Sequence, residues 1–471
     1  MKTKIINRRS FIKKGLYTFA SVSAFGMLRS GISYAGLLST PDNGTVPIIG
    51  AGLAGLSIAY QLKKMKIPFV LFEGSARIGG RVSSKFNLPS NQGLIELGGE
   101  FIDSTHAELI SLAKELNVAL EEVKFSPSFH IKGKKYSFIE FTNAVEPLSK
   151  KIETESSAHL EKISIRDFLH SVHGIEEWAR QAIQTAHTSE YGIDSGQLPA
   201  SLLMKAIGKP LLYLGKTDRQ FRIQGGSKAL IDALMKAIFD DENVADQLHL
   251  EHKLVKIAKD KNALQLSFIN QQRVIDLSCQ RMICTIPLPC LRQVTGAEQM
   301  NSYATMQKTE YGTSSKLAIS FSKRFWDENE FANCFTDRQI QFIMEASGEH
   351  SKNSATLTIQ TGASSGKNFS SSSLNSIFSD LDYIYVEKSK ALNNKVSIMN
   401  WYNNPFSLGS QFCPSIRSSK KLDANMSESE FNSRVFFAGE HMSLKNFGTM
   451  NGAIESATNA VQLFMKNKGG A

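Results

Sequence analysis

The chain has 471 residues, of which 42% are hydrophobic and 21% are charged. This composition is typical of a soluble globular protein and excludes disordered, collagen-like and disulfide-scaffold classes. The formal charge of +10 is concentrated at the start: residues 1–35 hold seven lysines or arginines and no acid, which leaves 47 basic against 44 acidic side chains elsewhere. The rest of the chain therefore lacks the charge expected of a nucleic-acid-binding protein.

Residues 1–35 have the three parts of an export signal. The basic sequence Asn-Arg-Arg-Ser-Phe-Ile-Lys at 7–13 precedes a modestly apolar stretch at 15–28, and small residues follow at 33–35. Because this run is too short to cross about 30 Å of hydrocarbon, it predicts a signal peptide cleaved after Ala35, with no membrane anchor. The arginine pair resembles the bacterial twin-arginine signal, which implies export of the folded protein to the periplasm by that machinery. The alternative is a basic tail with a chance arginine pair.

A strand, a glycine-rich turn, a helix and a second strand are predicted next. Residues 46–49 (Val-Pro-Ile-Ile) form the first strand, and Gly-Ala-Gly-Leu-Ala-Gly at 50–55 leads into the helix. The first glycine permits a tight turn, the second lets the backbone approach a pyrophosphate, and the third allows close packing of helix on strand. The phosphates would lie at the positive end of the helix. The contacts would come from Gly50, Gly52, Leu53, Ala54 and Gly55.

The second strand, residues 69–72, ends at Glu73, which follows Gly50 by 23 positions. A carboxylate there accepts a hydrogen bond from a ribose 2′-hydroxyl and repels a 2′-phosphate, so NADP is disfavoured. The alternative for the whole unit is a glycine-rich turn without a ligand.

The remaining segments differ in periodicity. We predict a helix over 106–117, mostly helices over 147–238, strands over 249–279 and a serine-rich surface loop at 364–373. The five cysteines show neither redox nor zinc spacing and are expected to be buried and structural, and no metal site is predicted.

Short blocks after Glu73 occur in a particular order. They include Arg-x-Gly-Gly-Arg at 77–81, Glu-Leu-Gly-Gly-Glu-Phe at 96–101, Tyr-Gly at 311–312 with Lys316, and Phe-Ala-Gly-Glu at 437–440. Together these blocks resemble the flavin-containing amine oxidase family, which includes monoamine, polyamine and L-amino-acid oxidases. The matching blocks run from about residue 46 to residue 462.

The resemblance implies an α/β fold: a Rossmann-like FAD-binding domain with an inserted α+β substrate domain of antiparallel sheet and helices. We expect the FAD-binding domain at 44–120, 215–300 and 405–466, and the substrate-binding domain at 121–214 and 301–404. By the same resemblance, several later blocks would contact FAD. Their residues are Arg77, Gly79, Gly80, Arg81, Gly98, Gly99, Glu100, Phe101, Leu254, Trp401, Gly439, Glu440, Thr449 and Met450. Arg77 and Arg81 would neutralise phosphate, and Glu440 would bind the ribityl chain.

Lys316 matches the family's flavin-proximal lysine, which implies that it holds a water against flavin N5 and assists oxygen reduction or imine hydrolysis. The alternative is a surface lysine, because strand periodicity alone does not fix its face. Asp103, Gln411 and Thr449 are candidate substrate residues.

Three departures from the family pattern bear on chemistry. Covalent members have a cysteine where this chain has Ser410, so we expect noncovalent FAD. Gln411 and Thr449 replace two aromatic rings that commonly flank the substrate nitrogen. Phe101 stands where amino-acid oxidases have an arginine, which disfavours an amino-acid substrate.

The expected function is FAD-dependent amine oxidation. Hydride moves from the carbon next to the nitrogen to flavin N5, the imine is hydrolysed, and O2 reoxidises the flavin to give H2O2. Two alternatives remain: a related desaturase or porphyrinogen-type oxidase, and a flavin-carrying binding protein without turnover. The protein could form a homodimer.

Overall fold

The computed structural model describes most of the chain. The described residues are 36–39, 44–86, 94–123, 126–205, 211, 219–239, 244–260, 263–322, 324–326, 333–346, 355–385, 392–416 and 429–467. The predicted signal peptide and its cleavage site, residues 1–35, lie outside them. No helix in these ranges is both long enough and apolar enough to cross a bilayer.

The strands and helices follow one another throughout these ranges. The strands are β1 (Gly36–Ser39), β2 (Val46–Ile49), β3 (Phe69–Phe72), β4 (Ser84–Phe86), β5 (Leu94–Glu96), β6 (Ile102–Asp103), β7 (Leu120–Val123), β8 (Ser128–Ile131), β9 (Lys134–Tyr136), β10 (Gln220–Ile223), β11 (Leu248–His249), β12 (Lys253–Lys259), β13 (Leu264–Asn270), β14 (Arg273–Cys279), β15 (Met282–Cys284), β16 (Glu310–Tyr311), β17 (Ser315–Phe321), β18 (Asn333–Thr336), β19 (Phe342–Glu345), β20 (Thr356–Thr361), β21 (Leu392–Asn400), β22 (Phe412–Cys413), β23 (Ser429–Glu430) and β24 (Val435–Phe437). The α-helices are α1 (Leu53–Lys64), α2 (Ala107–Glu115), α3 (Phe138–Ala144), α4 (Glu146–Thr154), α5 (Ser157–Leu160), α6 (Ile165–Ser171), α7 (Glu177–Tyr191), α8 (Lys228–Ile238), α9 (Val244–Gln247), α10 (Leu288–Leu291), α11 (Tyr303–Gln307), α12 (Ala363–Lys367), α13 (Leu374–Tyr385) and α14 (Met450–Lys466).

A six-stranded sheet, in the order β11-β3-β2-β15-β24-β23, forms the centre of one half of the molecule. All its pairs are parallel except that between β23 and β24. Parallel strands are buried on both faces, which explains the continuous apolar runs of β2 and β3. Ile48 packs with α1, α8 and α14 on one face, whereas Ile49 packs on the other with a four-stranded sheet of order β1-β14-β13-β12.

A seven-stranded sheet, in the order β21-β17-β20-β19-β18-β8-β9, forms the second half. Its pairs are antiparallel except for β8 with β18. Helices α3 to α7 pack on one part of this sheet and α13 on another. The predicted fold class is thus confirmed, with one parallel pair in the sheet expected to be antiparallel. A small core of Ile95, Leu97, Ala318, Met399 and Trp401 joins the halves.

The prediction of a loop at 364–373 is wrong. The structure forms α12 there, followed by a 3-10 turn at Ser371–Ser373. The Gly366 carbonyl accepts a hydrogen bond from Ser315 Oγ at 2.8 Å, and the Phe369 ring is buried. Tertiary contacts therefore order a segment whose serines show no helical period.

Candidate active site

The glycines of the glycine-rich turn serve two different purposes: some are required by the fold, and one is not. Gly50 has φ +104°, and a Cβ on Gly55 would lie 1.9 Å from the Gly50 carbonyl oxygen, so these two positions satisfy the fold itself. A Cβ on Gly52 would meet its nearest atom, the Gly80 Cα, only at 3.8 Å. Gly52 precedes the first residue of α1 and has an ordinary φ of −75°. A side chain would therefore fit at this position without a clash, so the fold does not require glycine at the helix N-terminus, where a phosphate is favoured.

Glu73 stabilises the glycine-rich turn through hydrogen bonds to backbone N–H groups. Its Oε2 accepts from the Ala51 N–H at 2.8 Å, and its Oε1 accepts from both Ser75 N–H and Ser75 Oγ at 2.8 Å. The Gly79 N–H donates to the Ala51 carbonyl at 2.8 Å, which sets the Gly79–Gly80 backbone beside Gly52. The loop therefore has a fixed shape, while the ribose contact of Glu73 stays a prediction.

Arg77 and Arg81 both bond within the protein. Arg77 donates to the Ile78 and Val82 carbonyls at 3.2 and 3.3 Å and also to the Gly80 carbonyl, so it holds the loop around the turn. Burial lowers the pKa of Arg77, against a smaller raising effect of Glu73. The predicted phosphate contact of each arginine stays a prediction.

Arg81 links the turn region to the C-terminal block through Glu440. Arg81 Nη1 lies 2.6 Å from Glu440 Oε1 and 3.1 Å from the Ser410 carbonyl. Glu440 also accepts from the Phe412 N–H at 3.0 Å and the Gly448 N–H at 2.8 Å. Burial, the largest single effect, would raise the pKa of Glu440, but Arg81, His441 and the Phe412 N–H together outweigh burial and lower the pKa. A carboxylate with these partners organises the site, and its ribityl contact stays a prediction.

The block around Gly98 lies directly against this network. A Cβ on Gly98 would lie 2.0 Å from the Arg81 carbonyl oxygen, so only glycine fits. A Cβ on Gly99 would lie 3.0 Å from the Met450 Cγ, which places the two predicted cofactor residues together. Gly439 has φ +136°, and its N–H donates to Ser456 Oγ at 2.9 Å.

Thr449 is used as a helix cap. Its Oγ1 accepts from the Gly452 N–H at 3.0 Å and donates to the Asn446 carbonyl at 2.6 Å, at the start of α14. A side-chain oxygen at this position satisfies a backbone donor that has no partner within the helix. The predicted substrate contact of Thr449 stays a prediction beside this structural use.

Lys316 is buried, with 8% of its surface exposed, so the alternative of a surface lysine is wrong. Its Nζ lies 3.0 Å from Glu100 Oε2 and 3.1 Å from the Gly98 carbonyl oxygen. The second oxygen of Glu100 lies 2.8 Å from Arg222 Nη2, and the Arg222 guanidinium lies 4.7 Å from the Phe101 ring centroid. Glu100 thus bridges two cations where the halves of the molecule meet.

Two further carboxylates approach this cluster. Asp103 accepts from Gln220 Nε2 at 3.4 Å and lies 3.7 Å from His106 Nε2. Burial raises the pKa of Glu190, Lys316 opposes this shift, and Asp103 adds to it. The Glu190 backbone carbonyl accepts from Gln411 Nε2 at 3.2 Å. Glu190 and Arg222 were missed because neither lies in a recognisable motif.

Glu96 gives a testable pH dependence. It accepts from the Ser227 N–H at 2.7 Å and from Ser84 Oγ at 2.8 Å. Burial, followed by repulsion from Glu100, raises the pKa of Glu96 to about 7. Since the folded protein then binds this proton more tightly than the unfolded chain, the stabilising contribution is present below the unfolded pKa and is lost as pH rises towards 7.

We therefore expect Glu96→Gln to gain stability relative to the wild type as pH rises from 5 to 8, by about 1–3 kcal/mol. Urea unfolding of both proteins at several pH values measures this difference. Parallel profiles for the two proteins would contradict the assignment.

The other predicted cofactor residues pack around the same region. Trp401 Nε1 donates to the Leu97 carbonyl at 2.8 Å, and the Arg77 guanidinium lies 6.0 Å from the Trp401 ring. Leu254 is buried in the core beside the six-stranded sheet. All five cysteines are free and four are buried, and the described ranges contain no acidic, histidine and cysteine group arranged to hold a metal.

Two features fit a bound dinucleotide. The fold itself does not require glycine at Gly52 beside the helix N-terminus, which suits the approach of a pyrophosphate to the backbone, and the buried Nδ1 of His441, beside Glu440, has no hydrogen-bond partner among the described residues. Burial lowers the pKa of His441 to about 4, so the ring is neutral. With a mostly parallel sheet and an acid after its second strand, these features define a dinucleotide-binding protein.

The family model described as "Flavin containing amine oxidoreductase" matches residues 53–464. The chain belongs to this family, and the resemblance found in the sequence is confirmed. The chain is 24% identical to lysine-specific histone demethylase 1 homolog 2 of Arabidopsis thaliana, over 91% of this chain and 60% of that protein. It is 23% identical to the L-amino-acid oxidase of Siganus canaliculatus, over 90% of this chain and 86% of that protein.

Solved structures share the fold at low sequence identity. Putrescine oxidase bound to putrescine matches with a TM-score of 0.72 and 15% identity, over 92% of this chain and all of that chain. Cyclohexylamine oxidase from Brevibacterium oxydans IH-35A also gives 0.72, with 19% identity, over 91% of this chain and 99% of that one. The chain spans about 60% of the length of the plant demethylase relatives.

Proposed function

We propose that this protein is an FAD-dependent amine oxidase. The observation that carries the proposal is the buried Lys316 ammonium, bound to Glu100 and the Gly98 carbonyl where the dinucleotide-binding half meets the seven-stranded sheet. Bound FAD would supply the two-electron acceptor that no side chain provides, taking a hydride from the carbon next to nitrogen and passing the electrons to O2. The imine product would then be hydrolysed by water.

The protein's own residues would bind and orient in this reaction. Gly52 and the N-terminus of α1 would hold the pyrophosphate, Gly50 and Gly55 allow the turn that positions them, and the pair of Arg81 with Glu440 fixes neighbouring loops. Two N–H donors of Lys316 are engaged, so the third can hold a water close to the reacting atoms. That water would serve oxygen reduction or imine hydrolysis.

We propose that the FAD is held without a covalent bond. Ser410 occupies the position where covalent members have cysteine, and its carbonyl accepts a hydrogen bond from Arg81. Acid precipitation tests this directly, because noncovalent flavin appears in the supernatant. Yellow colour that stays in the protein pellet would contradict the proposal.

The substrate we favour is an alkylamine or diamine without a carboxylate. Glu190 lies within electrostatic range of Asp103, Glu100 and Lys316, and this grouping of carboxyl groups favours a cationic substrate over one that carries a carboxylate. Phe101 further disfavours the amino acid. The putrescine bound in the structural neighbour is consistent with a diamine here.

Anaerobic titration of the purified protein tests the function. We expect the absorbance of oxidised flavin to bleach with alkylamines or diamines and to remain with amino acids. Bleaching by amino acids alone would reverse the substrate assignment. Stable colour with every amine would favour a desaturase-type oxidase or a flavin carrier without turnover.

We further propose export to the periplasm through the twin-arginine pathway, on the sequence of residues 7–35. In bacterial cells expressing the full chain, the periplasmic protein should begin at Gly36 and contain FAD. Replacing Arg8 and Arg9 together with lysine should retain it in the cytoplasm. Equal periplasmic yield of both proteins would contradict this route.

A further inference from the structure

We propose that Arg222 is a positioning residue that fixes Lys316 through Glu100. The inference rests on the proposed function, since Lys316 is assigned there to hold water near the reacting atoms. Nothing in the family blocks pointed to Arg222, which lies in β10, three residues before the Gly225–Gly226 pair. The side chains involved come from separate segments of the chain.

The three charged groups form a continuous series of contacts, with Glu100 in the middle. Arg222 Nη2 lies 2.8 Å from Glu100 Oε1, and Glu100 Oε2 lies 3.0 Å from Lys316 Nζ. The side chains of Arg222, Glu100 and Lys316 are 12%, 6% and 10% exposed. A charge-assisted bond at each oxygen therefore fixes the Glu100 carboxylate plane, which in turn fixes the direction of the Lys316 ammonium.

Apart from the contact with Glu100, the Arg222 side chain makes a contact with an aromatic ring. Its guanidinium lies against the Phe101 ring at 4.7 Å, and its buried Nε has no hydrogen-bond partner among the described residues. The planar ring orients the guanidinium, leaving Nη2 directed at Glu100. Any effect of Arg222 on Lys316 should therefore pass through the carboxylate.

The charge of Arg222 affects the pKa of Glu100. Burial would raise the pKa of Glu100, but Arg222 first and Lys316 second outweigh burial and lower it. Glu96 on β5 and Glu190 on α7 also act on this group, as neighbouring carboxylates that repel Glu100 and attract Lys316. Without Arg222, Glu100 would take up a proton at higher pH and release Lys316 from its fixed direction.

The experiment follows reoxidation by O2 of FAD-loaded enzyme reduced by light, so no amine is needed. We expect Arg222→Gln to reoxidise about tenfold more slowly at neutral pH and to shift the acid limb of the rate upward by about one pH unit. Arg222→Lys, which keeps the charge, should recover much of the rate. Arg219→Gln, at an exposed position beside β10, is the matched control and should behave as wild type.

A double variant tests whether Arg222 acts through Glu100. Glu100→Gln with Arg222→Gln should be no slower than Glu100→Gln alone, because the path is already broken. Independent, multiplying losses would overturn the proposal, as would wild-type kinetics and pH profile in Arg222→Gln. If that single variant loses FAD, the double variant, which leaves no unpaired carboxylate at residue 100, decides between these outcomes.

Different results would overturn the proposed amine oxidase function and the positioning role of Arg222. A wild-type protein that is colourless and takes up no FAD would overturn the proposed function together with this inference. A yellow protein that oxidises amines, with unaltered Arg222 variants, would overturn this inference alone.

Discussion

Replacing Gly55 by alanine should strongly destabilise the folded protein. The added Cβ would lie 1.9 Å from the Gly50 carbonyl oxygen and 3.2 Å from Thr285 Oγ1. The first contact is with backbone, which cannot rotate away, so α1 would have to move off β2. We expect a loss of more than about 3 kcal/mol in the free energy of unfolding, at the upper end of overpacking effects. Urea denaturation and soluble yield measure it.

Gly52→Ala is the matched variant for Gly55→Ala. Its Cβ would have no protein atom closer than 3.8 Å, and its φ of −75° suits alanine. We expect an apoprotein of wild-type thermal stability whose affinity for FAD is lower by about tenfold or more, because a methyl group would occupy the pyrophosphate position. Titration of FAD fluorescence gives the dissociation constant. Wild-type affinity in a folded Gly52→Ala protein would remove the phosphate from this site.

The dinucleotide-binding unit could be predicted because its signals are local. A buried strand, three glycines, an amphipathic helix and an acid lie within about thirty residues, and the structure places them as β2, α1 and β3 with Glu73 at the end. What the sequence could not show was the direction of each side chain. Glu73 turns inwards to the Ala51 N–H, which spacing alone does not distinguish from a ribose contact.

The face of Lys316 could not be predicted because β17 is buried along its whole length. Alternation of polar and apolar residues indicates a face only when one side of the strand meets water. Glu100, Glu190 and Arg222 come together from a loop, from helix α7 and from strand β10, and the latter two residues lie outside any recognisable motif. Their meeting depends on how the two sheets pack, which no short window of sequence contains.

For Thr449, in contrast, the relevant signal is local in the sequence. The family block predicts a place beside the substrate, which stays a prediction, and the structure shows in addition that the Thr449 hydroxyl caps α14 by accepting from the Gly452 N–H. A threonine before a helical run is itself a capping signal, so the local sequence indicates that Thr449 caps the helix. Thr449 matches a position of the family block, but such a match does not determine which atoms its hydroxyl group bonds to.

Lys316→Met should retain FAD and lose catalysis. Methionine has a similar length and no charge, and Arg222 still pairs with Glu100 in its absence, so the buried carboxylate keeps a partner. Losing a positioned proton donor and its water should slow turnover and reoxidation by about a hundredfold. Stopped-flow reoxidation and steady-state peroxide formation measure the two rates, with the exposed Lys308→Met as control.

The outcome separates the roles available to Lys316. Slow reoxidation with normal reduction by amine would assign it to oxygen chemistry, because only the step with O2 would then depend on the ammonium. Slow release of carbonyl product would assign it to imine hydrolysis instead. Unchanged rates in both steps would leave Lys316 as a structural ion pair, and loss of FAD would show that the pair with Glu100 maintains the cofactor site. Since Glu100 also binds Arg222 and Lys316 also binds the Gly98 carbonyl, a change at Lys316 must alter the junction between the two halves as well as the chemistry.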